Sequence, residues 1–165
     1  MKHFLFFGLL FIYTSSFSQT LKADISTDFK RRDFFLNIHG SFSIEKHQIG
    51  LGTGFGLQKA INQNSCLQHV FVDYNYCFFS TENVHLFASN YLAYSTMSLS
   101  RATKQRLHVI ENLAGLSYEI GNKIRFKNAI LGGLYSEFFT PKVTTFSVRK
   151  ISIGYQFTIG LVYVL

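Results

Sequence analysis

The sequence predicts an all-β fold, an eight-stranded antiparallel up-and-down transmembrane β-barrel. Three observations predict it. Apolar residues recur at every second position along segment after segment, the faces between them are mostly small or uncharged polar residues, and short and long turn regions alternate along the chain.

Composition points the same way. Hydrophobic residues make up 47% of the 165 and charged residues 15%, a balance too apolar for a disordered chain. The length suits one domain. With 19 Phe, 9 Tyr and a single Pro, strands are favoured and rarely interrupted. The formal net charge of +7 raises nucleic acid as a partner. However, Lys30-Arg31-Arg32, Arg101/Lys104/Arg106 and Lys142/Arg149/Lys150 fall mostly in or beside predicted loops rather than along one helix face. No nucleic-acid partner is expected.

Residues 1–18 read as a processing segment. Met1-Lys2-His3 is a short basic start, Phe4 to Tyr13 is continuously apolar, and Thr14 to Ser18 is small or polar apart from Phe17. This is the order of a secretory signal peptide, with cleavage expected near Ser18–Gln19. The apolar run is about ten residues, against about twenty for a spanning helix. An N-terminal anchor is the alternative. The expected division is a cleaved signal peptide at 1–18 and a barrel at 19–165.

The strands follow by period. Ile151, Ile153, Tyr155, Phe157, Ile159, Leu161, Tyr163 and Leu165 form one apolar face, opposite Ser152, Gly154, Gln156, Thr158, Gly160, Val162 and Val164. Phe34, Leu36, Ile38, Phe42 and Ile44 oppose Asn37, His39, Ser41 and Ser43, and Ile49, Leu51, Phe55 and Leu57 oppose Gly50, Gly52, Gly54 and Gly56. Val70, Val72, Tyr74, Tyr76 and Phe78 oppose His69, Asp73, Asn75 and Cys77. Further strands are expected at about 84–97, 107–120 and 123–135. Short turns at Glu45–Gln48, Ser80–Asn83 and Gly121-Asn122 alternate with longer loops near 61–66, 98–106 and 136–149. That alternation requires one more strand before residue 34, which Leu21, Ala23, Ile25 and Phe29 supply, with Lys30 to Asp33 as its turn. A competing count places the eighth strand within 138–148.

The bland face identifies the inside. A strand face in water usually carries many Lys, Glu and Arg, whereas these faces carry mostly Gly, Ser, Asn, Gln, Thr and Ala. Small residues suit a narrow lumen, and so wide an apolar belt on the other face suits lipid. Asn90, Asn112 and Asn128 fall on the lipid face, so either a bulge shifts the register there or those positions meet a partner.

Ser16-Phe17-Ser18-Gln19, the period-two strands and the terminal Tyr163-Val164-Leu165 together resemble small outer-membrane barrels of the OmpX/OmpA-transmembrane type, and in particular the β-barrel-domain proteins of Bacteroidota. The resemblance covers nearly all of the mature chain and rests on pattern rather than on a motif. It implies a Gram-negative outer membrane as the location and its lipid as the surroundings. It also implies that the barrel-assembly machinery reads the last strand through Phe157, Ile159, Leu161, Tyr163 and Leu165. The terminal Leu165 departs from the Phe that is usual there.

Candidate chemistry is sparse. Asp73, Glu111, Glu119, Arg125 and Lys127 have lumen parity, and a three-residue loop places Glu119 opposite Arg125. The plain reading is a structural ion-pair network; a gate or proton relay is the sharper one. His39, His69, His85 and His108 raise a metal site, but no HExxH or paired Cys/His spacing supports one, and no metal or other cofactor is expected. Ser41, Ser43, Ser89 and Ser95 with Asp73 raise a lipid-modifying barrel enzyme, yet no G-x-S-x-G turn occurs, and no catalytic residue is assigned. Cys66 and Cys77 lie along one predicted strand, roughly 36 Å apart at about 3.3 Å per residue, so no bond between them is expected. The Gly50/52/54/56 alternation reads as lumen packing rather than a phosphate loop. Basic external loops are candidates for contact with lipopolysaccharide phosphates. The expected role is non-enzymatic, in structure, adhesion or assembly; the alternatives are the barrel enzyme and a soluble periplasmic barrel binding an apolar ligand.

Overall fold

The computed structural model describes residues 19–30, 33–57, 68–98, 106–139 and 148–165. They form eight strands: β1 (Gln19–Lys30), β2 (Phe34–Ile44), β3 (His47–Gly56), β4 (Gln68–Ser80), β5 (Val84–Ser98), β6 (Arg106–Gly121), β7 (Ile124–Phe139) and β8 (Val148–Val164). Each pairs antiparallel with its sequence neighbours, and β8 returns to β1 to close the barrel. The closing seam runs from Lys22 opposite Val164 to Lys30 opposite Gln156, and Leu165 N–H donates to Leu21 C=O beside its end. The segment at 20–29 is therefore the eighth strand. The competing placement fails where it is described, because residues 138–139 continue β7 and residue 148 begins β8; residues 140–147 lie outside the described residues.

Tight turns gather at one end of the barrel. Glu45 takes a φ of 54° between β2 and β3, and Gly121, at a φ of 130°, occupies the left-handed side that disfavours side chains. Between β4 and β5, Thr81 closes the turn through its N–H to Val84 C=O and its hydroxyl oxygen, which accepts from the Val84 N–H.

Alternation decides the two surfaces. The outward row includes Ile153, Ile130 and Leu51 at 78%, 69% and 66% exposure, and the inward row includes Asn37, His39, Asp73, Glu119 and Thr158, all buried. A bulge on β4 between Cys77 and Phe79 interrupts the pattern once, leaving both Phe78 and Phe79 facing out. No register shift occurs on β5, β6 or β7, so Asn90, Asn112 and Asn128 do lie on the outward wall.

The lumen is less uniformly polar than the sequence suggested. Phe71, Tyr91, Ala93, Leu113, Ala129 and Leu131 form one buried apolar cluster, and Phe35, Leu107, Val109 and Tyr135 form another. The glycines of β3 make room for bulk on the facing wall. A Cβ at Gly52 would overlap the Phe71 ring, and one at Gly50 would overlap His39 and Asp73. A Gly52→Leu substitution is expected to cost about 1–3 kcal/mol by overpacking, whereas Gly40→Leu, on the outward face with nothing near its added Cβ, leaves stability nearly unchanged. Urea midpoints of the two refolded variants check this contrast.

Candidate functional site

Polar side chains inside the barrel are grouped at three heights. Near the tight turns, Lys22 Nζ donates to Glu119 Oε2 at 2.9 Å and to Gln48 Oε1 at 2.8 Å. Arg125 donates to the same Glu119 oxygen at 3.2 Å and to Asn122 C=O at 2.9 Å. One buried carboxylate thus holds two cations, and Lys22 also lies 5.2 Å from the Phe87 ring centre.

At mid-height, Lys127 Nζ donates to Asp24 Oδ2 at 2.7 Å. His39 bridges two acids: its Nε2 lies 2.8 Å from Asp73 Oδ1 and its Nδ1 3.6 Å from Asp24 Oδ2. Asn75 donates to the second Asp73 oxygen at 2.8 Å. Nearer the long-loop end, Lys30 pairs with Glu111 and donates to Tyr91 OH at 3.1 Å, with its ammonium over the Tyr91 and Phe35 rings. Thr158 donates to Asp28 at 2.7 Å and accepts from Gln156 at 3.0 Å.

All five residues singled out from the sequence face the lumen, but they do not form one cluster. Glu119 meets Arg125 diagonally. Its cross-strand partner is Lys127, Arg125 stands opposite Gly121, and the connecting turn is the two residues Asn122-Lys123. The three-residue loop expected there is corrected accordingly. Lys127 passes Glu119 to reach Asp24, Glu111 pairs with Lys30, and Asp73 pairs with His39. The missing partners Lys22, Asp24 and Lys30 all belong to β1. Lys30 therefore points inward and is no part of a basic loop. The signal was present in the sequence: Lys22, Asp24, Asp28 and Lys30 alternate with Leu21, Ala23, Ile25 and Phe29.

The remaining candidates are spread out. His39, His69 and His85 face inward, His69 packed against Phe35 and Phe71 and His85 hydrogen-bonded to Ser80 at the tight-turn rim. His108 faces outward and meets Tyr94 OH at 2.6 Å. Among the described residues no three His, Cys, Asp or Glu side chains converge as metal ligands. Ser89 bonds Ser117, Ser41 and Ser95 are buried, and Ser43 donates to Gln48. His39 has acids at both ring nitrogens and so takes part in no Ser–His–acid relay, whereas Ser80 Oγ meets His85 Nδ1 at 2.8 Å on the strand position opposite Glu119. Cys77 is a free thiol near the tight-turn end, and Cys66 lies outside the described residues. Phe157, Ile159, Leu161, Tyr163 and Leu165 all face outward on or just beyond β8.

Little space remains inside. A cavity of about 30 Å³ lies beside Asp28, His39, Asp73 and Lys127, room for only a water or so. A wider vestibule of about 470 Å³ opens at the tight-turn mouth, lined in part by Lys22, Lys46, His85, Phe87 and Arg125. The arrangement can hold buried charges in pairs, although Asp24 Oδ1, His39 Nδ1 and both ring nitrogens of His69 are buried without a hydrogen-bond partner, and it leaves no described channel-sized void at mid-height.

No family model and no curated protein matches the chain in sequence. Solved structures match its fold. The N-terminal β-barrel domain of Pseudomonas aeruginosa OprF aligns over 88% of this chain and 97% of its own, with a TM-score of 0.58 and 12% identity. A major outer-membrane protein of Thermus thermophilus aligns over 90% and 100%, with a TM-score of 0.51 and 8% identity. The outer-membrane protein AlkL, solved in lipid bilayers, aligns over 89% and 90%, with a TM-score of 0.51 and 10% identity. The chain has the fold of the small eight-stranded β-barrels of bacterial outer membranes.

Proposed function

We propose that this chain is an integral outer-membrane protein, exported by a signal peptide at 1–18, whose barrel is a sealed, non-enzymatic scaffold serving structure, adhesion or assembly. The observation that carries the reading is the pairing of an outward apolar wall with a side-chain-filled lumen. Eight-stranded barrels have interiors that side chains can fill, so this one does not conduct solutes appreciably. The wall suits hydrocarbon and would be an aggregation surface in water. Tyr74, Tyr76, Tyr118 and Tyr163 lie towards the tight-turn end, where amphipathic rings suit a membrane interface. That end is the periplasmic one, since short turns lie there in this class of barrel.

The last strand displays its alternate apolar residues to the assembly machinery. Contact with lipopolysaccharide phosphates is proposed for the opposite end. Of the basic residues expected there, Lys150 is exposed, and Arg31, Arg32, Arg101, Lys104 and Lys142 lie outside the described residues.

The ion pairs act as structural struts in this reading. Removing one member of a buried pair costs about 3–5 kcal/mol. Glu119→Gln is expected to approach that range because Lys22 and Arg125 both lose their counter-charge, while Glu45→Gln at the exposed rim changes little. Urea unfolding in detergent micelles reads both. For the whole proposal, membrane fractionation should place the protein in the outer membrane, with a band that migrates differently when unboiled. Liposomes loaded with the folded protein should not swell in small sugars. Rapid swelling would overturn the sealed lumen, and a soluble protein without a heat shift would overturn the membrane reading. Altered lipid A in a deletion strain would favour an enzyme.

A further inference from the structure

Away from the strand ends, carboxamides break the outward wall only on β5, β6 and β7 among the described residues, at Asn90, Asn112 and Asn128. Their situations differ. Asn128 is 8% exposed and donates to Tyr118 OH at 2.8 Å, so the barrel itself satisfies it. Asn90 and Asn112 are exposed and share one long hydrogen bond, Asn90 Nδ2 to Asn112 Oδ1 at 3.4 Å. A carboxamide carries two N–H donors and an oxygen with two lone pairs. The shared bond therefore leaves donors and acceptor capacity on both side chains facing outward. In hydrocarbon no water compensates them, and leaving them unmet is costly.

The relief is low between Tyr74, which stands opposite Asn90 on β4, and Tyr155, which stands opposite Gly132 on β8. Asn90 stands opposite Ala114 across the β5–β6 ladder, and Ala114 stands opposite Gly132 across β6–β7. Leu92, Leu116 and Leu134 rise around this shallow row with 51%, 61% and 60% exposure. Small residues let a second surface approach closely enough for side chains to hydrogen-bond.

From these features we propose that the face formed by Asn90, Asn112, Ala114 and Gly132 docks a second copy of this chain, side by side in the membrane. The proposal rests on the membrane reading above. Two copies inserted in the same sense are related by a two-fold axis along the membrane normal, which keeps every residue at its own depth. Asn90 and Asn112 are close enough in depth to bond each other, so in the dimer carboxamide faces carboxamide. Each is donor and acceptor at once, and the same pair of residues on the partner copy supplies the complementary groups. A purely apolar neighbour, such as a lipid chain, offers nothing to these atoms.

The test uses the full chain carrying Cys66→Ser and Cys77→Ser, expressed in outer membranes. Ala114→Cys, or Ile38→Cys on the opposite wall, is added and oxidised with copper phenanthroline. A disulfide-linked dimer is expected from Ala114→Cys and not from Ile38→Cys. Adding Asn90→Leu and Asn112→Leu, which suit lipid and spare the lumen, should weaken self-association in nanodiscs or micelles by about tenfold, with the heat-modifiable band retained. Equal cross-linking at both positions, none at Ala114→Cys, or association unchanged by the leucine pair would overturn the proposal. So would a monomer whose native mass spectrum shows a retained lipid that the leucine pair releases, which would assign the face to lipid. Loss of heat modification in the parent chain would instead count against the membrane reading.

Discussion

The structure depends first on closure of the sheet. An open sheet leaves edge strands with unpaired N–H and C=O groups, and closure alone removes both edges. The chain meets this through the β1–β8 seam, from Lys22 opposite Val164 to Lys30 opposite Gln156. β1 is the strand with the least regular apolar face, yet closure fails without it. Its inward row of Lys22, Asp24, Asp28 and Lys30 is tolerable because closure brings Glu119, Lys127 and Glu111 to Lys22, Asp24 and Lys30, and the Thr158 hydroxyl to Asp28.

Closure with eight strands also limits the interior, and shape complementarity fills it. β3 contributes glycine at successive inward positions, and the space opposite is taken by His39, Phe71 and Asn37. Bulk on one wall is balanced by its absence on another, which lets the lumen pack. Most charges there are paired, with Glu119 serving two cations and His39 held between two acids, while Asp28 accepts from the Thr158 hydroxyl. The apolar cluster of Phe35, Leu107, Val109 and Tyr135 lies towards the loop end, and the polar vestibule lies towards the tight turns. The two ends of the barrel therefore present different chemistry.

The outward wall shows the same rule by exception. Thr53 turns its hydroxyl to His69 C=O and Asn128 turns its amide to Tyr118, so both resolve their polarity within the barrel. Asn90 and Asn112 do so only in part.

The period of two, visible in residues such as Ile151 to Leu165, was enough to determine the strands, the two faces and the alternation of turns, because side-chain direction in a strand is a local property. The inward orientation of Asp73, Glu111, Glu119, Arg125 and Lys127 was legible for the same reason. Their partners were not. Pairing inside a barrel joins residues far apart in the chain, such as Asp24 with Lys127 and Lys22 with Glu119, and depends on the stagger between strands. The two-residue Asn122-Lys123 turn moved Glu119 opposite Lys127, and the bulge after Cys77 turned Phe79 outward. Sequence by itself determined which way the side chains point wherever the period runs unbroken, with Phe79 beyond the bulge as the exception. The tertiary structure decided which side chains meet, because contact across a closed sheet is set by register and closure rather than by neighbours along the chain.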